Sequence, residues 1–389
     1  MTALLALSRS LVEAGHEVDV VGRCPGPGFY AGVRFVDRYS MITRMGEAPP
    51  DVLVCIPELL PLVLPVPARC RLVWSGNAFA GGDVLVSVPY EWAPELGRPG
   101  RVARVLPLAD VGQVVDAFVA KSRWQVVDQH AATGISIERF HVLGNGIPME
   151  HYRGPPVARV PLRVVYTSQP RRGLEHLLAI WPLVRDAVPR AELHVFGYEG
   201  ASAAATVLPG VVHRGAVGKS ALAGELRRAA VFAYPNTIRE TFCTAVAEAQ
   251  AAGLPVVTSD RAALVERVQH GVDGFLVPGD PGGPEGRAKF VEYIVSLLLD
   301  ERLRSRMSQA AWQHARVEYD WAGIAASWET LASALVAGRE LTLPGVGWGD
   351  LDLSGGARLS DRGRTAIVPA ETLREWLTAA LGEYGVRDH

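Results

Sequence analysis

The chain is poor in lysine, cysteine, methionine and aromatic residues, and each shortage narrows what it can be. Lys121, Lys219 and Lys289 are the lysines among 39 basic residues in a chain of 389. With its abundant Ala, Gly, Val and Pro, that bias resembles the product of a GC-rich bacterial genome. The four cysteines, Cys24, Cys55, Cys70 and Cys243, show no CxxC or metal-ligand spacing. Free thiols in a reducing compartment are the expectation, and no bound metal. A formal net charge of −2 gives no electrostatic argument for a nucleic-acid partner. Long apolar runs are also missing. The most apolar stretch, Asp51 to Cys70, is broken by Pro57, Pro61, Pro65 and Pro67 and carries Asp51 and Glu58, so it reads as no membrane helix. The chain opens without a basic region or cleavage site, and the expected location is the cytoplasm.

What is present is a regular βα alternation, over a length that points to two domains. Residues 2–14 read as an amphipathic helix stopped by Gly15-His16, before a strand from Glu17 to Val21. Strands follow near Val33–Val36, Asp51–Ile56, Arg71–Trp74, Asp83–Val88 and Ala117–Ala120, then a helix from Trp124 to Thr133 and a strand from Arg139 to Leu143. After the turn Gly144-Asn-Gly-Ile-Pro148, the run from Arg153 to Pro161 reads as a linker. The second half alternates cleanly: strands at Arg163–Thr167, Glu192–Phe196, Val211–His213, Val231–Tyr234, Val256–Ser259 and Phe275–Val277, with helices Gly173–Ala187, Ser220–Ala230 and Ala263–His270 between them. Apolar strands in such an order predict a parallel sheet covered on both faces. Helices fill Phe290 to Leu335. The tail from Gly338 is Gly/Pro-rich to Gly356 and ends in one helix from Pro369 to Tyr384.

The most informative segment joins the strand Val231–Tyr234 to the strand at Val256. It carries Glu240 and Glu248 around Thr241-Phe-Cys-Thr244 and closes with Ala252-Gly-Leu-Pro-Val-Val257. Thr241 reads as the N-cap of the intervening helix and Gly253 as its stop. Glu240 then lies beside the amides of Phe242, Cys243 and Thr244, where a helix start suits a phosphate or pyrophosphate. Carriage of Glu248 two turns further along the same helix brings both carboxylates to one ligand. Carboxylates suit sugar hydroxyls and amides suit phosphates, so the combination points to a nucleotide-sugar.

Four pieces together resemble the retaining glycosyltransferases of the GT-B fold, the family of glycogen synthases and bacterial α-mannosyltransferases. They are Leu11-Val-Glu-Ala-Gly-His16, Asn145-Gly-Ile-Pro148, Ser168-Gln-Pro-Arg-Arg172-Gly-Leu174, and Glu240-x7-Glu248 with the Gly253 turn. The resemblance implies two facing Rossmann-like, doubly wound parallel-sheet domains: residues 1–152 on the acceptor side, a linker at 153–161, and a nucleotide-sugar domain at 162–318. A terminal helix at 319–337 would pack back toward the first domain, and 338–389 is a tail. It implies transfer of a sugar from a nucleoside diphosphate to an acceptor hydroxyl with retention, and no cofactor. Arg172 takes the place of the residue that contacts the donor diphosphate, with Arg171 competing for it. Glu240 would face the transferred sugar and Glu248 the ribose. Ser168, Gly173, Gly197, Thr241, Phe242, Cys243 and Thr244 would line the donor cleft.

The chain departs from the family pattern at four places. Thr167 stands where relatives have a second basic residue, Cys243 replaces a glycine, and Val73-Trp-Ser-Gly-Asn77 holds no histidine. The chain also opens inside the family's first helix, so an upstream strand and glycine-rich loop are expected in the natural protein. A nucleotide-sugar epimerase, a sugar phosphorylase and a catalytically degenerate partner subunit are the competing readings. No lysine sits in a pyridoxal phosphate context. Asp350-Leu-Asp352 has the form of a metal-binding DxD but lies in the tail, and Lys219-Ser220 lacks the glycine spacing of a P-loop. Gly197-Tyr-Glu-Gly200 lacks the rest of a dinucleotide fingerprint. His16, His213 and His270 sit at element ends, where capping is the expected role.

Overall fold

The computed structural model describes residues 2–22, 26–37, 40–56, 60–62, 64, 66–76, 83–88, 101–107, 114–155, 157–197, 208–343, 357–361, 364–368 and 371. Cys24, Asn77, Gly200, the Asp350-Leu-Asp352 run and nearly all of the expected helix Pro369–Tyr384 lie outside them. The chain divides into two units: Met1–Leu143 with Ala325–His389, and Gly144–Ile324. No helix of the described residues is long and apolar enough to cross a membrane.

In the first unit, the helix Thr2–Glu13 precedes a three-stranded sheet. There β1 (Asp19–Gly22) pairs in parallel with β3 (Val33–Asp37), and β2 (Gly28–Tyr30) lies antiparallel on the other side of β3. A second sheet is fully parallel, in the order β4 (Val52–Cys55), β5 (Cys70–Trp74), β8 (Ala117–Ala120), β9 (Phe140–Val142). Every residue of β5 and β8 is buried, as strands covered on both faces require. The sequence reading missed β2, and of a third, antiparallel sheet it gave only the strand Asp83–Val88. In that sheet β6 (Asp83–Val88) pairs with β7 (Arg101–Pro107).

The second unit is one six-stranded parallel sheet. Its strands are β10 (Arg163–Tyr166), β11 (Glu192–Phe196), β12 (Val211–Gly215), β13 (Val231–Tyr234), β14 (Val256–Ser259) and β15 (Gly274–Val277), in the spatial order β12-β11-β10-β13-β14-β15. The chain winds outward through β12, then returns to lay β13 on the free side of β10. That reversal opens a crevice beyond the carboxyl ends of β10 and β13, the place where doubly wound sheets hold ligands. The helix Leu174–Ala187 covers one face with Leu174, Leu177, Ile180, Trp181 and Val184, spaced to form a single apolar stripe. The helix Glu301–Glu318 is capped by Asp300, whose side chain accepts the Leu303 N–H at 2.9 Å. The helix expected from Ala263 to His270 is reduced to Leu264–Arg267, because buried Val268 turns to extended backbone. The run before β10 is fastened to this unit by Arg159, which donates to the carbonyls of Ala229, Ala252 and Gly253 at 2.8–2.9 Å. Those carbonyls lie just past two helix C-termini, where a guanidinium is favoured.

The last two strands return to the first unit. There β16 (Ala357–Asp361) pairs with β17 (Arg364–Val368) and, on its other edge, with β7. The sequence reading missed both of these, having assigned the tail as Gly/Pro-rich chain up to Gly356 and then a helix.

Candidate active site

The crevice of the second unit is built by two turns that meet. After β10 the chain makes one 3-10 turn, Pro170–Arg172, and reverses at Gly173, whose φ is +100°. A Cβ on Gly173 would lie 1.9 Å from the Pro235 carbonyl oxygen, so the turn closes on the loop after β13 through glycine alone. That loop is shaped by Asn236, whose side chain accepts the Ile238 N–H and donates to the Ile238 carbonyl. It delivers Glu240 to Arg172.

Arg172 donates to Glu240 Oε1, and the Tyr234 hydroxyl donates to the same oxygen at 2.8 Å. The Glu240 carboxylate is nearly enclosed, at 10% exposure, against 30% for the Arg172 side chain. Burial disfavours the Arg172 charge, and the neighbouring Glu240 more than offsets it, so the guanidinium is held more firmly protonated than a free arginine. Burial, then Cys243 and Glu240, push the Tyr234 hydroxyl up, so it remains a donor. Arg171, the competing residue, is exposed and binds the Gln169 side chain at 2.9 Å. Of the two arginines, Arg172 faces the crevice chemistry.

The helix carrying Glu248 spans Thr244–Ala251, and its N-cap is Cys243, in the left-handed region at φ 68° and ψ 78°. This corrects the expectation of an N-cap at Thr241. Thr241, Phe242 and Cys243 are buried loop residues, and Thr244 is the first helical residue and exposed. Glu240 therefore precedes the helix by four residues, and helical geometry does not relate the two carboxylates. Phe242 turns inward, edge-on to Tyr319 at 5.7 Å and under Arg267 at 5.0 Å, which leaves its backbone rather than its ring for a ligand. Burial and then the Glu240 charge push the Cys243 thiol up, so it stays protonated.

Glu248 is buried, and its Oε1 accepts from Lys219 Nζ at 2.5 Å. Lys219 opens the helix Lys219–Arg228 after β12. Gly197 follows β11, and a Cβ there would stand 3.5 Å from the Ser168 carbonyl oxygen. Ser168, Gly197, Gly173 and Glu240 thus gather at the ends of the adjacent strands β11, β10 and β13. The sequence reading missed Tyr234 and Lys219. Tyr234 was legible as a hydroxyl-bearing side chain at the carboxyl end of a buried strand. Lys219 was legible as a lysine at a helix start, and was set aside for failing the P-loop pattern. Among the described residues, no group of three His, Cys, Asp or Glu side chains could hold a metal ion.

Residues 162–300 match the family model described as glycosyl transferases group 1. The chain is 28% identical over 239 residues to a phosphatidyl-myo-inositol mannosyltransferase of Mycobacterium tuberculosis, a match covering 58% of this chain and 61% of that protein. Among solved structures, sucrose-phosphate synthase from Thermosynechococcus elongatus superposes with a TM-score of 0.62 at 18% identity, over 86% of this chain and 93% of the other. Anabaena HepE in complex with UDP and glucose superposes with a TM-score of 0.58 at 16% identity, over 86% and 96%. Those two likenesses establish the two-domain GT-B fold. Over residues 162–300, the chain is similar to the group 1 glycosyltransferases.

Proposed function

We propose that this protein transfers a sugar from a nucleoside diphosphate sugar to an acceptor hydroxyl, with retention at the anomeric carbon. The observation that carries the reading is the Arg172–Glu240–Tyr234 cluster at the point where the second unit's sheet reverses its winding. Such a crevice takes nucleotides, and this one sets a fixed cation beside a nearly enclosed carboxylate. The names of similar proteins support it: the mycobacterial relative is a mannosyltransferase, and HepE binds UDP and glucose.

The chemistry follows from charge. As the bond from the anomeric carbon to the diphosphate breaks, negative charge grows on the departing oxygens and positive charge on the sugar ring. Arg172 has N–H donors beyond the one given to Glu240, and these face the first charge. Glu240 orients that guanidinium and lies on the side of the second. Glu248 gives one oxygen to Lys219 and keeps Oε2 for ribose hydroxyls. The acceptor oxygen bonds the same face of the anomeric carbon, and its proton passes to the leaving diphosphate. Retention then needs no protein nucleophile.

Screening UDP, GDP, dTDP and ADP by thermal shift tests the donor site, since a ligand at 100 times its dissociation constant stabilises by about 2.7 kcal/mol. Donor hydrolysis, compared with that of Arg172→Ala, tests the chemistry, with an expected loss of about 10²- to 10³-fold. No shift with any nucleotide, or an Arg172→Ala enzyme within about twofold of wild type, would overturn the reading.

A further inference from the structure

The helix that carries Glu248 cannot set its own direction. Thr244–Ala251 is 8 residues long, and its N-cap Cys243 makes no side-chain cap bond. So short a helix is marginal alone, and its pose comes from what grips it. Tyr319, the C-cap of the helix Glu301–Glu318, grips it at both ends. The Tyr319 ring meets Phe242, just before the helix, edge-on at 5.7 Å. The Tyr319 hydroxyl donates to Gln250 Oε1, in the last turn, at 2.8 Å. Tyr319 is itself fixed, being fully buried, with its carbonyl accepting the Ile147 N–H at 3.0 Å.

The residues behind Gln250 dictate which way that bond runs. Gln250 Nε2 donates to the Arg267 carbonyl at 2.6 Å and to Asp273 Oδ2 at 3.1 Å. With two acceptors on that side, the amide must turn its NH2 to them and its oxygen to the Tyr319 hydroxyl. Buried Asp273 is held in turn by the Gln269 N–H at 2.8 Å and by His314 Nδ1 at 2.6 Å. Burial, more than any neighbouring charge, pushes the Tyr319 hydroxyl up, so it stays a donor. Gln250 lies about 200° around the helix from Glu248, so these bonds hold the back of a helix whose front carries the carboxylate. We propose that Tyr319 is a positioning residue of the donor site. Through Gln250 it aims Glu248 at the donor's ribose, and through Phe242 it seats the loop that joins Glu240 to the helix. The ribose as Glu248's ligand rests on the transfer reading; the grip on the helix does not.

The test reads sensitivity to the ribose hydroxyl, which a loss of stability alone does not move. The better binder of UDP and GDP is titrated calorimetrically into the whole protein, alongside its 2′-deoxy form. In wild type the hydroxyl should be worth about tenfold in affinity, as a hydrogen bond to a carboxylate gives. Tyr319→Phe keeps the ring and loses the hydroxyl. Its preference should fall below about threefold, with affinity for the 2′-deoxy form changed by less than about twofold. Gln250→Leu reaches the same bond from the other side and should do likewise, which covers a Tyr319→Phe variant that fails to fold. The double variant should be no worse than either alone. Ile294→Val, in the core beneath the helix Pro284–Leu299, is the control and should lower the melting temperature while keeping the preference. Equal binding of the two nucleotides by wild type, an unchanged preference in Tyr319→Phe, or one lost equally in Ile294→Val overturns the proposal. Should no diphosphate bind, the transfer reading fails, and hydrogen exchange alone decides the grip. Tyr319→Phe should then exchange about tenfold faster than wild type across residues 244–252 while β10 stays protected, and unchanged exchange there overturns it.

Discussion

Replacing Lys121 with methionine should stabilise the protein near neutral pH. Burial lowers the folded-state amine from 10.5 to about 8. Below about pH 8 both folded and unfolded chains carry the proton, and the folded chain bears the whole desolvation penalty. Between about 8 and 10.5 the unfolded chain still holds a proton that the folded chain has released, so this group's contribution to stability rises with pH across that window. The full displacement corresponds to about 3 kcal/mol against the charged form. Residual exposure screens part of that, and the lost bond to the Gly76 carbonyl removes about 1 kcal/mol. A net gain of about 1–2 kcal/mol at pH 7 is expected, because methionine keeps the unbranched stem without the charge. Urea midpoints of the two proteins, measured at pH 7 and again near pH 10, give the answer. The gain should shrink as pH rises. A variant less stable than wild type at pH 7, or a gain that does not change with pH, would refute the reasoning.

Gly173→Ala should lose about 3–4 kcal/mol, from a left-handed backbone and a Cβ driven into the Pro235 carbonyl, with activity falling further than melting temperature as Arg172 and Glu240 separate. Gly197→Ala meets only an ordinary 3.5 Å contact, so its melting temperature should hold while nucleotide affinity drops; equal behaviour of the two glycine variants would contradict their placement. Cys243→Gly should stay within about 1 kcal/mol of wild type, whereas Cys243→Val, β-branched at φ 68°, should cost about 2 kcal/mol or more in a denaturant titration. Steady-state kinetics on Glu248→Gln should show mainly a raised donor KM, and on Glu240→Gln mainly a lowered kcat; the reverse pattern would exchange their roles.

The second unit was legible in the sequence because each of its strands is a short apolar run ended by glycine, proline or a polar turn. All six strands lie in those runs, and the turns after two of them carry Arg172 and Glu240, whose pairing only the structure shows. Strands β7, β16 and β17 were missed because polar residues interrupt or open each short apolar run, which leaves no clean strand pattern. The helix start moved from Thr241 to Thr244 for a reason a pattern cannot carry. Threonine is the better cap in general, but here Thr241 and Phe242 are needed inside. Phe242 packs on Tyr319, which hydrogen-bonds Gln250 on the same helix that bears Glu248, and Gln250 in turn binds Asp273. Tertiary packing fixed the loop, and the cap fell to the residue left over.

The two glutamates are held by different means, and the difference decides what each can do. Glu240 is bound by an arginine and a tyrosine rooted at two strand ends, and its carboxylate is nearly enclosed. Taking Arg172 from it leaves an enclosed charge with half its partners, which costs several kcal/mol where the pair is buried. Glu248 is just as deep, but its partner Lys219 is about half exposed, on a long flexible stem at a helix start. Solvent stands ready to receive that ammonium, so opening the pair costs about 1 kcal/mol or less on Lys219's side. A ribose hydroxyl pair can repay that amount with its own hydrogen bonds. Under the proposed function, Glu248 can therefore loosen its Lys219 bond as its second oxygen takes the ribose, and Glu240 remains fixed while charge moves past it. The proposed binding role and chemical role differ because one partner can give way and the other cannot.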